Sequence, residues 1–291
     1  MNETNIEMNF EHGKWDLTAL HAEFMMMLGE IDRICTKYGL RYYSSGGTTI
    51  GALRHQGFIP WDDDMDIEMP RADFVKFLDV AKTELPSYFQ IRRGGADGMI
   101  WGSKLVDSRE EIRVELEKKT GLRIPGSPFV DIFYIDGVPS DIRGFRRWNR
   151  RRKVWRLCQL YRYPETATLT PGRHSFRCYI GRALGFFISP FFPRTKNDEE
   201  MMKLQDQIAL EWPFDDCNSV VEPAFFHYRT KRIVPRNWYG NARVVKFEKS
   251  TIRIPERAED RCFIDHEDFM SLPPVKWRIP EHAMHRAYNH V

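Results

Sequence analysis

Apolar residues recur every three or four positions between Asp16 and Tyr38, which is the spacing of one face of an amphipathic helix. The repeating positions are Leu17, Leu20, Phe24, Leu28, Ile31 and Cys35. Gly39 follows directly and predicts the end of this helix, because glycine readily adopts the left-handed conformation found at helix C-termini. The pattern therefore predicts a long surface helix near the start of the fold.

Shorter elements follow this helix. Residues 40–45 predict a short strand, and the next segment predicts a helix with Thr48 as its N-cap and Gly57 at its end. Polar and apolar residues alternate over 61–69, which indicates a strand, and Pro70 begins a further helix. Strands are also predicted at 89–93, 99–107 and 129–138, a helix at 198–212, and two strands within 244–255. This order predicts an α/β or α+β fold with a mixed central sheet flanked by helices.

The composition is that of a globular protein, with 291 residues of which 42% are hydrophobic and 29% charged. The formal net charge is only +3, so general attraction to nucleic acid is not indicated. The five cysteines are dispersed without a C-x-x-C pair, which argues against a disulfide framework and a structural zinc site. The polar N-terminus lacks a secretory signal and no apolar stretch reaches ~18 residues, so we expect a cytoplasmic protein.

Arginine and aromatic residues dominate the middle of the chain, most clearly over 143–162. We therefore divide the chain into a core at 14–140, a basic and aromatic helical insertion at 141–212, and a C-terminal part at 213–291 that completes the core. Tryptophan and arginine together fit a helix lying at the inner face of an anionic membrane. A solvated helix that covers the sheet fits equally well, and nucleic-acid binding fits less well because no recognition motif accompanies the arginines.

Negative charge is concentrated in 61–69, WDDDMDIEM, between apolar flanks. On a strand, four carboxylates would share one face at ~6.5–7 Å intervals, those of Asp62, Asp64, Asp66 and Glu68. Such a row raises its own pKa values unless a cation compensates, and a hard divalent ion such as Mg²⁺ or Mn²⁺ prefers oxygen ligands. A charged edge strand is the alternative. The apolar flanks and the preceding glycine turn favour the metal site.

That turn, Gly46–Gly47, lies between a predicted strand and a predicted helix, where backbone N–H groups can bind a phosphate. Its spacing is neither that of a Rossmann fingerprint nor that of a P-loop. Asp131 lies in a later β-rich run and is the candidate third carboxylate of a metal-assisted phosphoryl transfer site. Asp136 is near the end of the same run, and a turn or cap role is predicted for it.

Residues 46–74, GGTTIGALRHQGFIPWDDDMDIEMPRADF, resemble the LicD family of phosphocholine transferases and their fukutin-related relatives. Weaker similarity extends over 17–140 and 235–275. The resemblance implies a nucleotidyltransferase-like fold, in which a glycine turn precedes an acidic pair and a third carboxylate lies on a later strand. It implies Gly46–Gly47 as the turn, and as catalytic carboxylates and metal ligands Asp64, Asp66 and Asp131, with Asp62 as a further ligand.

The resemblance also implies a reaction. A phospho-alcohol, typically phosphocholine, would move from a CDP-linked donor to a hydroxyl of a cell-surface glycan or its lipid-linked precursor, and CMP would leave. The glycan could be lipopolysaccharide, teichoic acid or capsular polysaccharide. Magnesium would bridge the diphosphate, and Asp131 could accept the proton of the attacking hydroxyl. Arg54 and Lys104 are candidate phosphate contacts, with a surface charge as the alternative, and Thr48 and Trp61 are further candidate substrate contacts.

Choline would require an aromatic cage, for which Trp61, Trp101 and Tyr134 are candidates, although core packing is the commoner role of such residues. Thr49–Ile50 replaces the leucine pair that the family prefers, so the resemblance does not identify the donor. Two other functions are considered: a nucleotidyltransferase of the same fold that releases pyrophosphate, and a non-catalytic relative that binds glycan or membrane.

Overall fold

The computed structural model describes residues 16–93, 102–124, 126–151, 183, 198–223 and 232–280. Its α-helices are α1 (Thr18–Tyr38), α2 (Gly46–Arg54), α3 (Arg71–Glu84), α4 (Glu110–Thr120), α5 (Asp198–Ala209) and α6 (Ala258–Asp265). Residues 142–151 are also helical, and short 3₁₀ helices occur at Phe214–Asp216, Arg236–Trp238 and Val275–Trp277. The strands are β1 (Tyr43–Ser44), β2 (Asp66–Pro70), β3 (Phe89–Arg92), β4 (Gly102–Asp107), β5 (Phe129–Val138), β6 (Ser219–Val221), β7 (Val234–Pro235), β8 (Arg243–Phe247) and β9 (Ser250–Ile254).

A mixed sheet forms the centre of the fold. Its strands lie in the order β1-β2-β5-β4-β3, and β6 and then β7 extend it from the C-terminal part of β5. β2 and β5 are parallel, whereas the other pairs are antiparallel. β8 and β9 form a separate hairpin. The predicted class, a mixed sheet with flanking helices, is confirmed.

Side-chain alternation gives this sheet two different faces. Ile67 of β2 and Ile132 of β5 point into the main hydrophobic core, together with apolar residues of α1 and α3. The helices contribute Leu20, Phe24, Met27, Leu28, Ile31, Ile34, Phe74, Phe77 and Val80. Asp66, Glu68 and Asp131 alternate with these core positions and therefore lie on the opposite face. One face is thus buried by helices, and the other carries the carboxylates.

α2 begins three residues earlier than predicted. Its first residue is Gly46 and its N-cap is Ser45, which has an extended backbone, so the prediction of Thr48 as N-cap is wrong. The Thr48 hydroxyl accepts a hydrogen bond from the backbone N–H of Asp66 at 2.9 Å, and this bond ties α2 to β2. The helix also ends before Gly57, whose carbonyl oxygen lies close to the middle of α2.

The acidic segment is less regular than predicted. Residues 61–65 form a turn and a loop, and β2 begins only at Asp66. The turn is closed by a hydrogen bond from the Asp62 N–H to the Ile59 carbonyl oxygen at 2.9 Å. The Met65 carbonyl oxygen already accepts a bond from the Asp131 N–H at 2.8 Å, so the chain joins the sheet at this point. The prediction that side chains alternate between two faces of a strand from Asp62 onward is therefore wrong.

Asp136 has neither a turn nor a cap role, because β6 pairs with β5 and extends the sheet past this residue. Its buried carboxylate accepts hydrogen bonds from Arg71 Nε and Nη2 at 2.7 and 2.9 Å. Arg71 Nη1 donates to Asp206 of α5 at 2.8 Å, and the guanidinium lies 3.1 Å from the centroid of the Tyr134 ring. This buried network, which also includes Arg93, joins α3, β5 and α5.

The two described ends of the predicted insertion pack against the sheet. Trp148, in the helical residues 142–151, is buried beside Val138, and Gln205 of α5 donates to the Tyr134 hydroxyl at 2.6 Å. The rest of the insertion lies outside the described residues, so its membrane contact and the domain boundaries stay predictions. None of the described helices has both the length and the apolar character needed to cross a membrane.

The contact between α2 and the loop that leads to the acidic segment depends on Gly51. A Cβ there would lie 2.5 Å from the Gly57 carbonyl oxygen and 3.2 Å from the Ile59 nitrogen. We therefore expect Gly51→Ala to lower the free energy of unfolding by about 1–3 kcal/mol, measured by chemical denaturation. Gly29→Ala in α1 is the matched control, because its Cβ would meet nothing within 4 Å. This control should gain about 0.5–1 kcal/mol, and a Gly51→Ala protein as stable as the parent would contradict the contact.

Candidate active site

Three charged residues lie side by side on the face of the sheet opposite to the main hydrophobic core. Asp66 of β2 is paired in register with Asp131 of β5, which is paired with Lys104 of β4. Residues in register on neighbouring strands share a face and are separated by ~5 Å. The Lys104 ammonium donates to Asp131 Oδ1 at 2.8 Å. The structure therefore brings together two of the predicted carboxylates and one predicted basic residue.

The glycine turn approaches these carboxylates closely. A Cβ on Gly46, whose φ is 48°, would lie 3.0 Å from Asp66 Oδ2, and one on Gly47 would lie 2.7 Å from Asp62 Oδ2. The Ser45 N–H donates to the Asp66 carbonyl oxygen at 3.0 Å, which fixes the start of α2 beside β2. The absence of side chains on both glycines is what allows this approach.

The first turn of α2 presents backbone N–H groups at the same place. N–H groups in a first helical turn have no partner within the helix, and the helix dipole makes this end positive. The Ser45 side chain makes no capping hydrogen bond in the described structure. The positive end of α2, which can bind a phosphate, is therefore next to a cluster of carboxylates, which can bind the cation that accompanies the phosphate.

The loop that carries Asp62 and Asp64 is held by α1. His21 Nε2 lies 2.8 Å from the Asp62 carbonyl oxygen, and the imidazole stacks on Phe58 with ring centroids 4.2 Å apart. Asp62 and Asp64 are half-buried, and Asp63 is buried. Contacts of the loop backbone therefore hold this segment in place. Asp62 and Asp64 are positioned by these contacts and not by a strand.

Burial raises the pKa of Asp66 well above its usual range, and the carboxylates of Asp64, Asp131 and Asp62 raise this pKa further in that order. A bound cation would remove this penalty. Among the residues that the structure describes, no three His, Cys, Asp or Glu side chains are grouped closely enough to hold a metal ion by themselves. Magnesium commonly takes only one or two protein carboxylates and completes its shell with phosphate oxygens and water. The carboxylates around Asp66 therefore fit an ion held jointly by protein and substrate.

The remaining predicted substrate contacts have partners of their own. Arg54 Nη1 donates to the carbonyl oxygens of Phe269 and Ser271 at 2.8 and 2.9 Å, and thereby holds the C-terminal loop. Trp61 lies edge-on to His55 and beneath Arg278, whose guanidinium carbon is 5.6 Å from a Trp61 ring centroid. Phosphate binding by Arg54 and substrate contact by Trp61 stay predictions.

The aromatic cage is not assembled from the predicted residues that can be placed. Tyr134 is fully buried in the main core, on the face of the sheet opposite to the carboxylates. Its ring is covered by Arg71, so it cannot contact a substrate at Asp66. Trp101 lies outside the described residues.

A cavity of about 320 Å³ opens beside Asp66. One wall consists of the start of α2 and β1, including Ser45, Gly46 and Gly47. The cavity is also lined by a group of charged residues, here called the charged wall, which consists of Glu68, Glu222, Arg232, Arg261 and Asp265. Sequence analysis missed this charged wall, because its members are isolated charges far apart along the chain. Only the position of Glu68, two residues after Asp66, gave any signal.

The charged wall is electrostatically unusual. Burial raises the pKa of Glu222 to about 8 and that of Glu68 to about 7, and the charge of Arg261 opposes both shifts. Arg232 forms a close ion pair, 2.8 Å long, with Asp265 at the edge of the wall. The two glutamates thus share a deeply buried environment with an arginine.

Comparison with known proteins matches residues 39–154 to the LicD/FKTN/FKRP nucleotidyltransferase domain. Over 259 residues the chain is 25% identical to the lipopolysaccharide cholinephosphotransferase LicD of Haemophilus influenzae, which covers 86% of this chain and 89% of that protein. Uncharacterized proteins of Rickettsia typhi and Rickettsia prowazekii are 35% and 34% identical over 65 residues, or 22% of this chain and 20% and 23% of theirs.

The matched domain contains the glycine turn, the acidic segment, Lys104 and Asp131. The charged wall of the cavity is only partly within it, since Glu222 and Arg261 lie beyond residue 154. Residues 39–154 therefore match a LicD-type nucleotidyltransferase domain, and most of the chain is similar to a lipopolysaccharide cholinephosphotransferase of that family.

Proposed function

We propose that the protein is a metal-dependent phosphotransferase that moves phosphocholine from a CDP-linked donor to a hydroxyl of a cell-surface glycan or its lipid-linked precursor, with release of CMP. The observation that carries this proposal is the carboxylate of Asp66, whose pKa is raised and which lies next to both the start of α2 and Asp131. Similarity to a lipopolysaccharide cholinephosphotransferase over most of both chains supports choline as the cargo and a glycan as the acceptor.

Each part of the site has a role in binding the donor. The N–H groups of Gly46, Gly47 and Thr48 bind oxygens of the diphosphate at the positive end of α2. Asp66 and Asp64 would hold Mg²⁺ or Mn²⁺ together with oxygens of the donor, and Asp62 and Asp131 lie close enough to Asp66 to add negative charge to the site. When bound, the metal neutralises charge on the diphosphate and on the oxygen that leaves.

Asp131 accepts the proton of the acceptor hydroxyl as that oxygen attacks. A bond forms between the hydroxyl oxygen and the phosphorus that carries choline, and the bond from this phosphorus to the bridging oxygen breaks. The electron pair leaves with the bridging oxygen as part of CMP, and the proton remains on Asp131 until solvent removes it. Lys104, 2.8 Å from Asp131 Oδ1, orients this carboxylate and balances its charge.

The test is product analysis with CDP-choline as donor and lipopolysaccharide as acceptor, followed by ³¹P NMR. We expect CMP and a phosphodiester on the glycan, with no pyrophosphate. Chelation by EDTA should abolish the reaction, and excess Mg²⁺ or Mn²⁺ should restore it. Formation of pyrophosphate from CTP would indicate the nucleotidyltransferase instead. Glycan binding without turnover of CDP-choline or CDP-ribitol would indicate a non-catalytic relative.

A further inference from the structure

The charged wall of the cavity contains buried polar atoms whose hydrogen-bonding capacity is unused. Glu68, Glu222 and Arg261 are only 1%, 2% and 7% exposed. Glu68 Oε2, Glu222 Oε1 and Arg261 Nη1 nevertheless have no hydrogen-bond partner within the described ranges of the chain. Buried polar atoms are almost always paired in native proteins, so three such atoms lining one cavity indicate a polar ligand.

The spacing of these side chains supports the same conclusion. Arg261 Nη2 is 3.9 Å from Glu68 Oε2 and 3.6 Å from Glu222 Oε2, beyond the usual hydrogen-bonding range. The other buried arginine network of this protein is built differently, since Arg71 contacts Asp136 at 2.7 and 2.9 Å. A purely structural ion cluster would be closed in the same way. The charged wall is open toward the cavity instead.

The charged wall places hydrogen-bond acceptors, the carboxyl oxygens of Glu68 and Glu222, next to a hydrogen-bond donor, the guanidinium of Arg261. A carboxyl oxygen accepts hydrogen bonds, whereas a guanidinium only donates them. The edge of cytosine is complementary, because its N4 amino group donates while N3 and O2 accept, and Glu is a known partner of this amino group. Uracil presents an acceptor where cytosine has N4. Ile50, Pro255 and Cys262 line the same cavity and offer apolar contact to the faces of a flat ring.

The position relative to the phosphate site is also suitable. Gly46, Gly47 and Asp66 line the same cavity as the charged wall, so a nucleotide whose phosphates lie at the start of α2 can reach the charged wall with its base. Resting on the function proposed above, we infer that Glu68, Glu222 and Arg261 recognise the cytosine base of the donor, with Glu222 accepting from N4 and Arg261 donating to N3 or O2. These residues then determine the preference for cytidine over uridine nucleotides.

Titration calorimetry with CMP, UMP and CDP-choline in the presence of Mg²⁺ tests this inference on the intact chain. The parent protein should bind CMP at least roughly tenfold more tightly than UMP. Glu222→Gln should weaken CMP and CDP-choline by the same factor, about tenfold, and should narrow the difference between CMP and UMP, because the new amide can donate to uracil. Glu23→Gln is the matched control: Glu23 is also buried beside an arginine, 3.5 Å from Arg109, but does not line the cavity.

A second variant covers the case in which Glu222→Gln does not fold. Arg261→Lys keeps the positive charge but loses the two-pronged hydrogen-bond donor of the guanidinium. It should also weaken the binding of CMP more than that of UMP. Unchanged CMP affinity in both variants would overturn the inference. Loss of CDP-choline affinity without loss of CMP affinity would also overturn it, because the charged wall would then contact the choline part of the donor. A parent protein without preference for CMP would overturn it as well. The proposed phosphocholine transfer is tested separately, by CMP release from CDP-choline. A protein that prefers CMP over UMP but does not release CMP from CDP-choline would contradict the proposed function and leave the base contact standing.

Discussion

Asparagine in place of Asp66 is expected to slow CMP release from CDP-choline about a thousandfold while the fold is retained. The neutral side chain has nearly the same shape but is a poor ligand for a divalent ion, and metal-assisted stabilisation of the transition state is worth several kcal/mol. The variant should be at least as heat-stable as the parent without metal, because burial and three neighbouring carboxylates disfavour the charged form of Asp66. Initial rates and thermal melts with and without Mg²⁺ measure both effects.

Asp79→Asn provides the control for this experiment. Asp79 lies on α3, and its side chain is 69% exposed. The same change of charge at that position should leave both the rate and the magnesium dependence of the melt unaltered. An Asp66→Asn protein that keeps more than a tenth of the parent rate would contradict the assignment of Asp66.

Methionine in place of Arg71 is expected to lower the free energy of unfolding by about 3–5 kcal/mol. Arg71 is 2% exposed and is the shared partner of Asp136 and Asp206. Its removal leaves two buried carboxylates with fewer partners, and the new side chain cannot replace the three hydrogen bonds. Urea denaturation followed by circular dichroism measures the loss.

Arg33→Met is the matched comparison, because Arg33 also contacts two carboxylates, those of Glu30 and Glu84. Its side chain is 43% exposed, so solvent screens these pairs and the expected loss is below about 1 kcal/mol. Equal losses at Arg33 and Arg71 would show that the buried network is not what stabilises the junction of α3, β5 and α5.

Local patterns were sufficient to predict two elements that support the site, α1 and β5. The periodicity from Leu17 to Cys35 predicts α1, and the apolar run around Asp131 predicts β5, because both depend on residues close in sequence. A glycine turn followed by closely spaced carboxylates also predicts Gly46, Gly47, Asp66 and Asp131 as site residues from the sequence alone. Resemblance to the LicD family pointed to the same positions.

Features that depend on distant residues were missed. Asp136 looked like the end of a strand because β6, its partner, lies beyond the predicted insertion. The regular alternation of the acidic segment suggested a longer strand, but the hydrogen bond at Ile59 turns the chain before Asp66. Glu222 and Arg261 are single charges in unremarkable surroundings, and only the fold places them in one cavity with Glu68.

The parallel pairing of β2 with β5 has a consequence for how the protein acquires its activity. All of α3, β3, β4 and α4 lie between Asp66 and Asp131 along the chain, so these carboxylates meet only after a long loop has closed. Helices such as α1 form from local contacts, whereas a parallel pairing of this range forms slowly. During refolding, the helical signal should therefore return before nucleotide binding does. Nucleotide binding is thus a stricter measure of correctly folded protein than helix content.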